Sequence, residues 1–236
     1  MNLIIVFEQD FISANQVVLS DERFEHIRNI HQSEPGNSVR IGQLNGLMGN
    51  GIITQINAYS VEISVQLDQQ PPTKLPLTLI LALPRPKMIR RIFRSISELG
   101  IAELIIINSY KVEKSFWKSP ALEPDKINSY LIAGLQQAKD TQLPRVSFKR
   151  LFKPFIEDEL PALLENKRGL VAHPGMGQAC PHSIDEPALL AIGPEGGFTD
   201  YEAGKFIEAG FEGIHLGERI LRVENAIAAL SSKLYF

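Results

Sequence analysis

Between residues 77 and 108 the chain runs apolar strand, amphipathic helix, apolar strand, and this succession restricts the fold more than any other feature. Leu77–Leu83 and Glu103–Asn108, the latter with Leu104 to Ile107 at its centre, are short and nearly unbroken in apolar character, the signature of strands buried on both faces. Between them Met88, Ile89, Ile92, Phe93, Ile96 and Leu99 recur three and four apart, which marks one face of a helix that stops at Gly100. Two buried strands joined by a helix form a βαβ unit, whose strands run parallel. The expected fold class is therefore α/β, with a mainly parallel sheet and helices on its faces.

The alternation continues towards the C-terminus. A helix is expected from about Pro124 to Lys139 with Ile127, Leu131, Leu135 and Ala138 inward, then a strand near Val146–Phe148, a helix near Ile156–Glu165 and a strand at Leu170–Ala172. Two further strands, Ala188–Ile192 and Phe211–Leu216, each open into a glycine-broken loop. In the first, Gly193-Pro194-Glu195-Gly196-Gly197 can continue neither strand nor helix, and its glycines let a ligand approach the backbone closely. Thr199 to Glu202 then has the T-x-x-E spacing of a capping box, so a helix starts there. In the second, Gly217 breaks the strand and Ile220-Leu221-Arg222 places apolar bulk and a guanidinium ahead of an Ala-rich helix. By itself the first loop also fits a tight connection. Two such loops at the carboxyl ends of neighbouring strands fit the ligand crevice of an open α/β sheet.

Residues 1–70 read differently. Short strands at Leu3–Phe7, Gln16–Leu19, Ser38–Ile41, Gly51–Ile56 and Val61–Leu67, with one helix near Asp21–Ile30, suggest a small barrel. Gln69 to Pro76 holds three prolines, so residues 71–76 are expected to link this domain to a second one at 77–236. The net charge of −3 is unevenly spread: residues 71–118 carry nine Lys/Arg against three acids, whereas residues 1–70 carry three against eight. The basic segment is the expected polyanion footprint, through Arg85, Lys87, Arg90, Arg91, Arg94, Lys111, Lys114 and Lys118, with Trp117 as a stacking ring. For Phe116 and Trp117, anchoring the loop to the core is the competing role.

Other motifs are weaker. Gly175-x-Gly177 lacks the third glycine of a dinucleotide fingerprint. Cys180 with His182 has no spacing that marks a nucleophile, and His26 with His31 has no third ligand nearby, so no metal site is expected. A single cysteine fits a reducing cytoplasm, and no apolar run reaches transmembrane length.

Ile96-Ser97-Glu98-Leu99-Gly100, Ile192 to Phe198, and Leu216-Gly217-Glu218-Arg219-Ile220-Leu221-Arg222-Val223-Glu224 together resemble the ribosomal small-subunit methyltransferase E family, over essentially the whole chain. That resemblance implies transfer of methyl from S-adenosylmethionine to uridine N3 of 16S ribosomal RNA by a homodimer. It also implies a SPOUT-type parallel sheet with a C-terminal trefoil knot, preceded by a small PUA-like β-barrel that can bind RNA. Three loops would then hold the cofactor, mainly by backbone: Ala172, His173 and Pro174; Ile192, Gly193, Pro194, Glu195, Gly196 and Gly197; and Leu216, Gly217, Ile220, Leu221 and Arg222. Arg222 is the expected stabiliser of the uracil oxygens, and Glu224 its orienting partner or the proton acceptor. A structural ion pair between the two is the alternative. The chain departs from the family at Gln136-Gln137-Ala138-Lys139-Asp140, at Tyr110-Lys111 and at Val223 and Asn225, positions expected to face RNA. Ribose 2′-O methylation by the same fold, or a non-catalytic assembly factor, are the rival functions.

Overall fold

Along Leu3-Ile4-Ile5-Val6 successive side chains point to opposite faces, and both faces are buried. Ile4 and Val6 join one apolar cluster, while Leu3 and Ile5 join another with Met48 and Ile132. The computed structural model describes residues 2–29 and 34–236. It divides into two units, Met1–Thr73 with Ile132–Leu143, and Lys74–Leu131 with Pro144–Phe236.

In the first unit β1 (Ile4–Val6), β2 (Phe11–Ser13), β3 (Gln16–Leu19), α1 (Glu22–Asn29), β4 (Ser38–Gln43), β5 (Met48–Ile56) and β6 (Val61–Gln69) follow in order. The sheet runs β1-β4-β5-β6-β3-β2; β1 and β4 are parallel and the other pairs antiparallel. Strand β2, three residues long with Ile12 exposed, is too short for a periodicity to mark it in the sequence. Helix α1 turns Phe24 and Ile27 into the cluster formed with Val17, Ile41 and Ile63. Arg23 is buried, and its guanidinium donates to both oxygens of Asp10 at 2.5 and 2.9 Å, to Asp21 at 2.6 Å and to the Ile5 carbonyl at 2.9 Å. Burial disfavours the Arg23 charge, but Asp21 and Asp10 more than offset it and raise its pKa. Hydrogen bonding to Arg23 in turn lowers the pKa of Asp21. The expected helix end at Ile30, and His31 of the His26–His31 pair, lie outside the described residues.

The second unit holds β7 (Leu75–Ala82), α2 (Pro86–Glu98), β8 (Ile101–Ile107), α3 (Pro124–Ala138), β9 (Arg145–Lys149), α4 (Phe152–Pro154), α5 (Leu160–Leu164), β10 (Arg168–Ala172), β11 (Gln178–Ala179), β12 (Ala188–Ile192), α6 (Asp200–Glu208), β13 (Glu212–His215) and α7 (Val223–Tyr235). The C-terminal part of α3 belongs to the first unit. The sheet order is β11-β13-β10-β12-β7-β8-β9, with every pairing parallel. This is the α/β parallel sheet that the βαβ pattern predicts.

Three expectations need correction. Strand β7 starts at Leu75, inside the predicted linker; Pro76 is accommodated because the register with β8 shifts between Leu75 and Thr78, so no ladder bond depends on the missing N–H. Helix α3 stops at Ala138, and Lys139 turns left-handed (φ 57°), which carries Asp140 inward, 3 % exposed, where its carboxylate accepts from Gln142 N–H. Asp140 is thus a buried turn residue and not an RNA-facing one. The helix expected over 156–165 is interrupted by a π-turn at Phe155–Glu159, because Pro161 has no N–H to give the preceding turn.

Candidate functional site

Strands β12 and β13 are not neighbours: both pair with β10, one on each side. The crevice expected between two strands is therefore framed by three, and the loop after β10 lies in its middle. The three loops line one cavity of about 760 Å³. Every candidate cofactor position lines it: Ala172, His173 and Pro174 after β10, Ile192 to Gly197 after β12, and Leu216, Gly217, Ile220, Leu221 and Arg222 after β13. Lys111, Phe198, Thr199, Asp200, Ile214, His215, Arg219, Val223, Ala226 and Leu230 complete the wall. The α7 positions escaped sequence reasoning because their spacing reads only as a core-facing helix.

Each loop has its own restraints. In the first, His173 N–H continues the ladder to the Ile214 carbonyl at 3.0 Å, and the His173 ring bridges two loops, with Nδ1 2.7 Å from Pro174 O and Nε2 3.3 Å from Phe198 O. In the second, Gly197 N–H closes a tight turn onto Pro194 O at 2.7 Å. Gly193 is required by crowding: a Cβ there would stand 2.6 Å from the Phe198 nitrogen. The capping box expected at Thr199 forms, since Thr199 Oγ accepts Glu202 N–H while the Glu202 carboxylate accepts Thr199 N–H. In the third loop Gly217 has φ 103° and gives its N–H to His215 Nδ1 at 2.9 Å.

The basic segment meets this site at defined points. Arg85 N–H donates to Glu195 Oε1 at 3.1 Å, Lys111 Nζ to Gly196 O at 2.6 Å, and Tyr110 N–H to Glu202 Oε1 at 2.7 Å. Lys111 thus stands at the glycine loop, a placement that its lysine-rich surroundings do not signal. Trp117 is half-buried: its Nε1–H donates to Asn108 at 2.9 Å, its ring meets Phe148 edge-on, and Arg150 lies over it at 5.2 Å. These contacts favour the anchoring role. Lys87, Arg90, Arg91, Arg94, Lys114 and Lys118 are exposed.

Arg222 precedes α7 and its side chain is exposed, with no hydrogen bond or ion pair among the described residues. Glu224 is half-buried in the first turn of α7, one position outside the cavity lining, and the structural ion pair between the two does not form. Below the cavity Arg168 joins β10 to β13 by a two-pronged bond to Glu212 at 2.9 and 2.7 Å, which lowers the Glu212 pKa. Cys180 is buried, and burial raises its thiol pKa; exposed His182 does not activate it. After Gly175-x-Gly177 comes β11 and not a helix, so the dinucleotide fingerprint lacks its helix. No cluster that could hold a metal occurs among the described residues.

The family described as RNA methyltransferase domain matches residues 71–235. A ribosomal RNA small subunit methyltransferase E of Treponema pallidum is 31% identical over 238 residues, covering 96% of this chain and 88% of the relative. The chain belongs to the ribosomal RNA small subunit methyltransferase E family. A second member, from Synechocystis, is 25% identical over 228 residues, covering 94% of this chain and 73% of its own. The fold matches the solved methyltransferase E of Neisseria gonorrhoeae bound to S-adenosylmethionine, at TM-score 0.73 and 21% identity, covering 98% of this chain and 96% of the other. As a methyltransferase E family member, the chain carries its glycine loops and Arg222 on the three parallel strands that frame the cavity. No helix among the described residues is long and apolar enough to cross a membrane.

Proposed function

We propose that this RNA methyltransferase transfers methyl from S-adenosylmethionine to N3 of a uridine in 16S ribosomal RNA, with the donor held in the three-loop cavity. The observation that carries the reading is the convergence of three glycine-containing loops on one cavity with an unpaired guanidinium, Arg222, on its wall. The volume suits a small organic ligand. Loop backbone offers hydrogen bonds along the wall, and Ile192, Leu216, Leu221 and Leu230 offer apolar surface. At Gly217, which also lines the cavity, a Cβ would meet nothing within 4 Å, leaving room for close backbone approach.

When bound, S-adenosylmethionine supplies an electrophilic methyl group. The work of this chain is to make uridine N3 nucleophilic. Arg222 faces the uracil carbonyl oxygens and stabilises the charge that grows on them as the N3 proton leaves. Glu224, in the first turn of α7 and not paired with Arg222, is the proposed acceptor of that proton. Arg222→Ala abolishes methylation while S-adenosylmethionine binding, read by calorimetry, persists. A variant that loses donor binding yet reaches the normal rate at saturating donor contradicts the role.

The same reading makes the first unit a PUA-like RNA-binding barrel and the second a SPOUT domain acting as a cytoplasmic homodimer. That reading includes a C-terminal trefoil knot; between β12 and β13 the chain crosses β10, which lies between them in the sheet. The exposed cations Lys87, Arg90, Arg91, Arg94, Lys114 and Lys118 bind the RNA backbone.

A further inference from the structure

The basic segment holds the stretch from Gly193 to Glu202 at three points: Arg85 N–H on Glu195, Lys111 Nζ on Gly196 O, and Tyr110 N–H on Glu202. Two of these donors are backbone groups. Of these three, only Lys111 uses its side chain and lines the cavity, as His173 does from the loop after β10 where its ring meets Phe198 O. Its stem lies against the loop, since a Cβ on Gly196 would stand 2.9 Å from Lys111 Cδ. An ammonium 2.6 Å from a carbonyl makes a charge-assisted bond, stronger than a neutral one. Gly196 has no side chain to restrain it, and Gly197 beside it adopts φ 69°. Without an external tie, this turn would have to be ordered when a ligand enters, and that ordering would weaken binding.

We propose that Lys111 is a positioning residue for the methyl donor: it holds the Gly196 carbonyl and keeps the glycine loop in its receiving shape. This assigns Lys111 to the donor site and not to the RNA footprint where its neighbours Lys114 and Lys118 belong. The inference rests on reading the cavity as the S-adenosylmethionine site.

The test compares the full-length chain with Lys111→Met, which keeps the stem and loses the donor, and Lys111→Arg, which keeps a donor. Calorimetry gives the Kd for S-adenosylmethionine, and steady-state methylation of 16S ribosomal RNA at saturating donor gives the RNA KM and its salt dependence. Lys111→Met is expected to raise the donor Kd roughly tenfold, equivalent to about 1.4 kcal/mol, with the RNA KM and salt slope unchanged. Lys111→Arg is expected to restore most of the affinity. The inference is overturned if Lys111→Met leaves the donor Kd intact, raises the RNA KM and flattens the salt slope by about one phosphate contact. A wild-type chain that binds no S-adenosylmethionine overturns the cavity reading itself, and the inference with it.

Discussion

Gly193→Ala probes the donor loop with one added methyl group. Its Cβ would stand 2.6 Å from the Phe198 nitrogen and 3.0 Å from the Gly197 carbonyl carbon, about 0.8 Å short of the 3.4 Å at which ordinary contact with that nitrogen begins. Both neighbours are backbone, so no side chain can swing away. Phe198 is 2 % exposed and packed against Phe206 at 5.2 Å, which resists a shift on that side. Overpacking of this kind costs about 1–3 kcal/mol. If the loop keeps its shape, the cost appears as a lower Tm, roughly 2–4 °C per kcal/mol for a chain of this size. If the loop yields, the cost appears as a donor Kd raised roughly 5- to 150-fold. Differential scanning calorimetry and titration calorimetry on the same preparation capture both. A Gly193→Ala chain with wild-type Tm and wild-type Kd would refute the crowding argument and the loop's role together.

Arg23→Met should destabilise the first unit by about 3–5 kcal/mol in urea melts, because Asp10, 8 % exposed, would lose the cation that pairs with it and retain only the Phe7 N–H; a loss below about 1 kcal/mol contradicts this. Glu212→Gln tests the β10–β13 tie through pH. Arg168 depresses the Glu212 pKa below its ordinary 4.5, so the stabilisation is present above that value and lost as pH falls through the lower folded value. Wild type and variant should differ in Tm at neutral pH and converge on acidification; a gap that stays constant would show that the pair is not linked to protonation.

Local chemistry was legible in the sequence. The capping box at Thr199–Glu202, the buried runs at β7 and β12 and the glycine breaks at Gly193 and Gly217 are each fixed by residues a few positions apart. Relations between distant residues were not. Nothing near β12 or β13 says that β10 stands between them, since sheet order is settled by crossovers and not by the pattern within a strand. Lys111 reaches Gly196 across 85 positions, and its own surroundings resemble a phosphate-binding stretch. Asp140 reads as a surface acid until Lys139 adopts a left-handed conformation and turns it inward. Trp117 shows the same limit: its interleaving with lysines signals a stacking platform, whereas Asn108 and Phe148 hold it in place. The motifs that carry the family resemblance succeeded because three separated stretches agreed.

The central claim is base methylation of ribosomal RNA by this cavity. Purified chain, methyl-labelled S-adenosylmethionine and small ribosomal subunits or 16S RNA from an unmodified source, followed by nuclease digestion and mass spectrometry, test it directly. Label is expected in 3-methyluridine at a single position and is absent with Arg222→Ala. Label on a ribose 2′-oxygen, or no label although the donor binds, would contradict it.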